Sequence, residues 1–112
     1  MTDSVRIKAE EFKQTLLNSE EYQKYDNYRR KLNETPELKK RVNNFREANM
    51  RMQLDGRAQN RDELQRLSGE YQDVLNNSVV REFLNAELIL CKMIQQVNIM
   101  LVSDLELELD FL

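Results

Sequence analysis

Few residues in this chain are equipped for chemistry. Histidine is absent, so the usual neutral-pH proton carrier is missing and nucleophile triads built on His are excluded. The carboxylate pairs Glu10/Glu11, Glu20/Glu21 and Asp62/Glu63 belong to first turns or polar faces of helices. There they solvate the surface or favour the positive helix end. Glycine occurs only at Gly56 and Gly69, which rules out a Gly-rich phosphate loop. The single thiol, Cys91, excludes an internal disulfide and fits a reducing compartment. On an apolar stripe it reads as a small buried hydrophobe. A non-enzyme is expected, with no catalytic, metal-binding or cofactor-binding residues.

One other chemistry stays open. Tyr22, Tyr25 and Tyr28 interleave with Lys24, Arg29, Arg30 and Lys31, and Lys39, Lys40, Arg41, Arg46 and Arg51 follow. Basic groups beside stacking rings are what single-stranded RNA requires. Formal charge is also unevenly spread: -2 over residues 1–21, +5 over 22–66 and -6 over 67–112. Against this, tyrosines at helical spacing commonly line a core edge, and mixed charges commonly do no more than solvate a surface. The net charge of -3 also repels a polyanion. RNA binding through the basic segment 22–66 is therefore the alternative reading.

The elements that must position these residues are helices. The chain has 112 residues, 33% of them charged and 40% hydrophobic, the mixture of amphipathic helices and not of a disordered tail. Two glycines and one proline are too few for the turns of a sandwich or barrel. The expected fold is all-α, with about five helices: amphipathic hairpins packed on a long apolar C-terminal helix. Residues 1–103 are expected to form a single domain and 104–112 a tail.

Local signals place the helices. Val5, Ala9, Phe12 and Leu16 give one apolar face to a helix over residues 4–17, with Asp3 or Ser4 as its N-cap. Ser19, followed by Glu20 and Glu21, caps a second helix over 20–33. Thr35-Pro36-Glu37 starts a third, with Thr35 as cap and Pro36 in the first helical position, and Gly56 stops it after Leu54. Asn60-Arg61-Asp62-Glu63 is spaced as a capping box for a fourth helix carrying Leu64, Leu67, Tyr71 and Leu75. Gly69 weakens its middle by roughly 1 kcal/mol relative to Ala. Ser78 is the expected cap of the last helix.

That last stretch, residues 78–102, holds most of the hydrophobicity. Val79, Phe83, Ala86, Leu90, Met93, Val97 and Met100 form one uninterrupted seam. Val80, Leu84, Glu87, Cys91, Ile94, Asn98, Leu101 and Leu105 form a second beside it. Two adjacent seams are wider than packing on a single neighbour needs. One seam is expected to pack within the chain and the other on a second chain. Val80, Leu84, Glu87, Cys91, Ile94, Asn98 and Leu101, with Phe83 from the first seam, are the candidate interface. Glu87 and Asn98 must be paired if buried, and a lone Asn can fix helix register; at the edge of the face both reach water instead. The pattern leaves both readings open.

Expected partners are proteins: a homo-oligomer, most simply a dimer, or a hetero-oligomer with paralogues. Lys92, Gln95, Gln96 and Asn98 inside the apolar run argue against membrane insertion, so a cytoplasmic protein is expected. The end, DLELELDFL, alternates apolar and acidic residues and is expected to be extended or frayed past Ser103, with a continued helix as the competing reading.

Several strings, taken in order, resemble a known family. These are Ser19-Glu20-Glu21-Tyr22, Thr35-Pro36-Glu37-Leu38, Asn44-Phe45-Arg46 and, most specific, the run from Asn77 to Glu87, NSVVREFLNAE. Together they are similar to the YlbF/YmcA family of small helical bacterial proteins, which includes YheA-like members. The resemblance implies a non-enzymatic regulatory protein of Gram-positive bacteria. It also implies a link to competence, sporulation and biofilm formation, and to messenger RNA processing alongside the membrane-bound endoribonuclease RNase Y. Some members contribute C-terminal cysteines to an iron–sulfur cluster. This sequence departs from them: Cys91 is its only cysteine, and one thiolate does not hold a cluster. It looks closer to the members without a cysteine tail.

Overall fold

The computed structural model describes residues 1–105, the side chain of Ala58 excepted. Six α-helices and one 3-10 turn account for them, without a strand: α1 (Asp3–Leu17), α2 (Glu20–Asn33), α3 (Pro36–Leu54), the turn Arg57–Gln59, α4 (Arg61–Glu70), α5 (Gln72–Leu75) and α6 (Ser78–Val102). The all-α expectation holds. Helix α6 ends within one residue of the expected stop, and the tail expectation lies outside the described residues from Glu106 onward.

The start signals hold in position more often than in mechanism. Ser19 does what its position predicts: its hydroxyl accepts the Tyr22 N–H at 3.2 Å while donating to the Leu16 carbonyl at 2.6 Å. One side chain thus closes the end of α1 and opens α2. Asn60 accepts from the N–H groups of both Asp62 and Glu63, at 2.9 and 3.2 Å. Gly56 adopts φ +74° directly after α3, the left-handed stop that its missing Cβ permits.

Three caps differ from expectation. α1 starts after Thr2, without a side-chain cap. Asp3 is instead inside the first turn, where its carboxylate pairs with Arg6 three residues on. Thr35 stands at the N-cap of α3 but makes no capping bond. At α6 the cap is Asn77, whose side-chain oxygen accepts the Val80 N–H at 3.1 Å, and Ser78 is already helical.

The expected single helix over 61–75 is broken at Tyr71, whose backbone leaves helical geometry at φ -110°, ψ 28°. The break follows Gly69 by two residues, where helix propensity is lowest. It also coincides with burial of the Tyr71 ring, 7% exposed, edge-on to Phe45 at 5.5 Å and under the Arg41 guanidinium at 4.6 Å. Arg41 holds this corner together. It donates to both carboxylate oxygens of Asp73, at 2.7 and 3.2 Å, and to the Glu70 carbonyl at 3.0 Å.

The chain divides into two compact units. One is Asp26–Leu84, and its core is Leu32, Val42, Met52, Tyr71, Val74, Val80 and Phe83. The other takes Met1–Tyr25 and the chain from Asn85 onward. Its buried residues are Ala86 and Leu90 alone among those described, and α1 contributes none. Among the described residues, no helix is long and apolar enough to cross a membrane.

Candidate interaction surface

Burial along α6 runs out toward its C-terminal end. On the first seam, Phe83, Ala86 and Leu90 are buried, Met93 and Val97 are half-buried, and Met100 is 74% exposed. The sequence keeps writing a core stripe where the described residues no longer cover it. The second seam opens sooner. Val80 is buried and Leu84 and Glu87 are half-buried, but Cys91 and Asn98 are exposed, Ile94 is 38% exposed and Leu101 is 63% exposed.

The candidate interface residues therefore separate by position. Val80, Phe83 and Leu84 belong to the unit 26–84, where Val80 and Phe83 are core. Glu87, Cys91, Ile94, Asn98 and Leu101 belong to the other unit. Cys91 corrects an expectation: it is exposed, not a buried hydrophobe. One residue beyond Leu90, it is turned about 100° away from the covered stripe. Asn98 likewise reaches the surface.

A groove opens within the same unit. Val5, Ala9 and Phe12, one face of α1, line it together with Leu101 of α6, and Ser4 and Lys8 supply its polar groups. Its volume is about 550 Å³. Lys8 is matched by Glu11 one helical turn on, at 3.2 Å. The sequence showed the α1 face as amphipathic patterning; nothing in the pattern marked it as uncovered.

The basic residues are spread over α2 and α3, and all but the half-buried Arg41 are exposed. Most of the arginines are matched inside the chain. Arg29 and Arg30 both pair with Asp26, Arg41 pairs with Asp73, and Arg51 pairs with Glu47. Lys31 stacks over Tyr28 at 4.9 Å and Arg46 over Phe83 at 5.8 Å. Lys24, Lys39 and Lys40 point outward from their helices. Asp26 is a residue the sequence reading passed over. It is a buried carboxylate, 9% exposed, held below the usual carboxylate range by the hydrogen bond from Arg29, with Arg30 adding to the effect. Its signal was available: two arginines three and four residues downstream are one helical turn away.

A second cavity, about 280 Å³, lies among α3, the 3-10 turn and α4 and carries Arg51, Arg57 and Arg66. Their carboxylate partners, Glu47, Asp55 and Glu63, compete with any anion there. Among the described residues no group of three or more His, Cys, Asp or Glu side chains is arranged to hold a metal ion.

A small all-helical protein with an internally matched charge surface and one under-covered apolar helix is the class these observations define. Residues 5–106 match the family model described as control of competence regulator ComK, YlbF/YmcA, and the chain belongs to that family. It is also similar to a UPF0342 protein of Staphylococcus saprophyticus, 30% identical over 101 residues that cover 88% of this chain and 89% of the relative. No solved structure matches. A regulatory family agrees with the expectation drawn from the NSVVREFLNAE run and its companions.

Proposed function

We propose that this protein is a non-enzymatic regulatory adaptor that works by helix-mediated association. By resemblance, its setting is RNase Y-dependent messenger RNA processing and the control of competence, sporulation or biofilm formation. The observation that carries the reading is the C-terminal half of α6, where Ile94, Met100 and Leu101 stand open on an otherwise core-like stripe. Exposed apolar side chains gathered on one element mark interaction sites in proteins of this size. A regulatory and not a catalytic role is supported by the missing histidine and by carboxylates engaged in ion pairs with arginines of the same chain.

The RNA-binding alternative has less support. Its candidate arginines Arg29, Arg30, Arg41 and Arg51 each face a carboxylate of the same chain, which offsets part of the field an RNA backbone would meet.

Tagged protein expressed in its native host should capture protein partners, and loss of the gene should lengthen the lifetimes of transcripts that RNase Y cleaves. Complementation with the wild-type chain should restore those lifetimes. Unchanged transcript lifetimes in the deletion strain would remove the messenger RNA link. Direct, steeply salt-dependent binding of purified protein to single-stranded RNA would move the assignment to the alternative.

A further inference from the structure

We propose that the cavity among the end of α3, the 3-10 turn and α4 is a binding site for a small phosphate-bearing anion, held by Arg51, Arg57 and Arg66. The proposal stands apart from the association reading. Every residue it uses lies in the unit 26–84, and it concerns a small ligand, not a partner chain.

Local sequence assembles the site. Ala48, Arg51 and Met52 are three and four residues apart near the end of α3 and share one face. Gly56, in its left-handed conformation, turns the chain after α3, and Arg57 follows it directly. On α4, Glu63, Arg66, Leu67 and Glu70 recur at i, i+3, i+4 and i+7, again one face. The two faces and the turn border a cavity of about 280 Å³. Three guanidiniums from three separate elements therefore meet one space, and Ala48, Met52 and Leu67 give it an apolar side. Small-molecule sites combine these two features, an apolar lining and a few convergent polar groups. The volume is just under the roughly 300 Å³ at which such pockets begin, a size for pyrophosphate or a small phosphomonoester.

The charges around the cavity select the ligand. Three arginines stand against Glu63 and Glu70, one positive charge in excess. Glu47 and Asp55, which pair with Arg51 and Arg57, are not among the lining residues, and both pairs are open to solvent on each side. Exposed pairs of this kind contribute little and exchange readily for a better partner. Glu63 is the closer competitor. Its side chain is 27% exposed and stands between Arg57 at 3.6 Å and Arg66 at 3.9 Å. Both distances exceed hydrogen-bonding reach, so this carboxylate holds the two guanidiniums by charge alone and saturates neither.

A guanidinium presents its donors as a planar fork that matches two oxygens of one anion. A ligand carboxylate would bring a single charge, as Glu63 does, and would gain nothing by replacing it. A phosphoryl group brings nearly two charges at neutral pH and three acceptor oxygens, enough to bridge two arginines with charge-assisted hydrogen bonds. Glu63 is thus the occupant that the phosphate displaces.

Isothermal titration calorimetry of inorganic pyrophosphate into the purified full chain tests the proposal. The wild type should show one site per chain with a Kd below about 1 mM in low salt, and acetate should give no saturable heat. Arg57→Gln and Arg66→Gln should each weaken pyrophosphate binding by about 10-fold or more, since each removes a charge-assisted contact. The Arg66 side chain is 77% exposed, so its loss should leave the helical circular dichroism intact. Glu63→Gln should strengthen binding by about 10-fold, because the internal competitor loses its charge. Lys39→Gln makes the same charge change as Arg66→Gln at an exposed position outside the cavity and should alter affinity by no more than about 2-fold. Absence of saturation at millimolar pyrophosphate, acetate binding as tight as pyrophosphate, or equal losses from Lys39→Gln and Arg66→Gln would each overturn the site. Weaker binding in Glu63→Gln would also overturn it, since Glu63 would then hold the arginines in place for the ligand instead of standing in its way.

Discussion

The unit 26–84 and the unit built from the two chain ends use the same kinds of residue to different ends. The first holds seven of the nine buried apolar residues described, and only Met50, Leu54 and Leu64 of its large apolar side chains are exposed. The second holds Ala86 and Leu90 and exposes twelve, from Met1 and Val5 to Leu105. Leucine, isoleucine and valine are no rarer in the second unit; what differs is how few of them the described residues of that unit cover. Apolar patterning says that a face wants burial, and topology decides whether the chain itself can provide it.

Truncations should expose this difference most strongly. Phe83→Ala removes a ring that is 4% exposed in the core of the first unit and should cost about 3–5 kcal/mol in urea unfolding, close to the whole stability of many small domains. Leu101→Ala, on an open flank, should change the unfolding of a monomeric sample by less than about 0.5 kcal/mol. Equal costs at the two sites would mean that the C-terminal turns of α6 are covered in the isolated chain, and the contrast would be gone. Phe83 is also a poor probe of partner binding, since its substitution acts first on folding.

Amide exchange reads the same contrast without mutation. The helical hydrogen bonds of α1 have no buried side chain beneath them and should exchange at least 100-fold faster than those of α3 around Val42, which is fully buried. Raising protein concentration should slow α1 and leave α3 unchanged if a second copy covers the former. Two of the caps that make side-chain bonds, Asn60 and Asn77, belong to the unit 26–84. Asn60→Ala and Asn77→Ala should each lower stability by about 1 kcal/mol, because each strips an acceptor from first-turn N–H groups. Thr35→Ala, at a cap position whose side chain makes no such bond, should cost less than either.

These cases show what the sequence could and could not carry. Helix limits were legible because they are local: Ser19, Pro36, Gly56 and Asn60 act within a turn of themselves. Asn77 displaced Ser78 as the cap of α6 because adjacent residues of equal capping propensity cannot be ranked from type alone. The weak point near Gly69 was legible, but the break itself falls at Tyr71, whose ring meets Phe45 and Arg41 from α3, and periodicity holds no record of such contacts. The same limit applies to the surface. The two seams of α6 were readable as seams, but Cys91 was expected to be buried because nothing in the sequence says where the cover of the second seam ends.

The smallest effect concerns charge, and it distinguishes a buried carboxylate with exposed arginine partners from an open one. The hydrogen bond from Arg29 holds buried Asp26 below its ordinary value, and the hydrogen bond from Arg41 does the same for Asp73. In both cases the folded chain gives up the proton more readily than the unfolded chain. The stability each carboxylate contributes is therefore complete above the unfolded value of about 3.9, and it is lost as pH falls through the lower folded value. Urea midpoints followed from pH 6 down to pH 2 should fall for the wild type and flatten partly in Asp26→Asn and in Asp73→Asn. Salt separates the two. Asp73 and Arg41 have side chains 59% and 38% exposed, so 0.5 M salt should shrink the Asp73 effect through screening. Asp26, 12% exposed at its side chain between Arg29 and Arg30, lies where fewer ions reach and should keep most of its effect. Equal salt sensitivity at both positions would show that Asp26 is as open to solvent as Asp73, and that the buried character of the first unit stops short of its first helical turn.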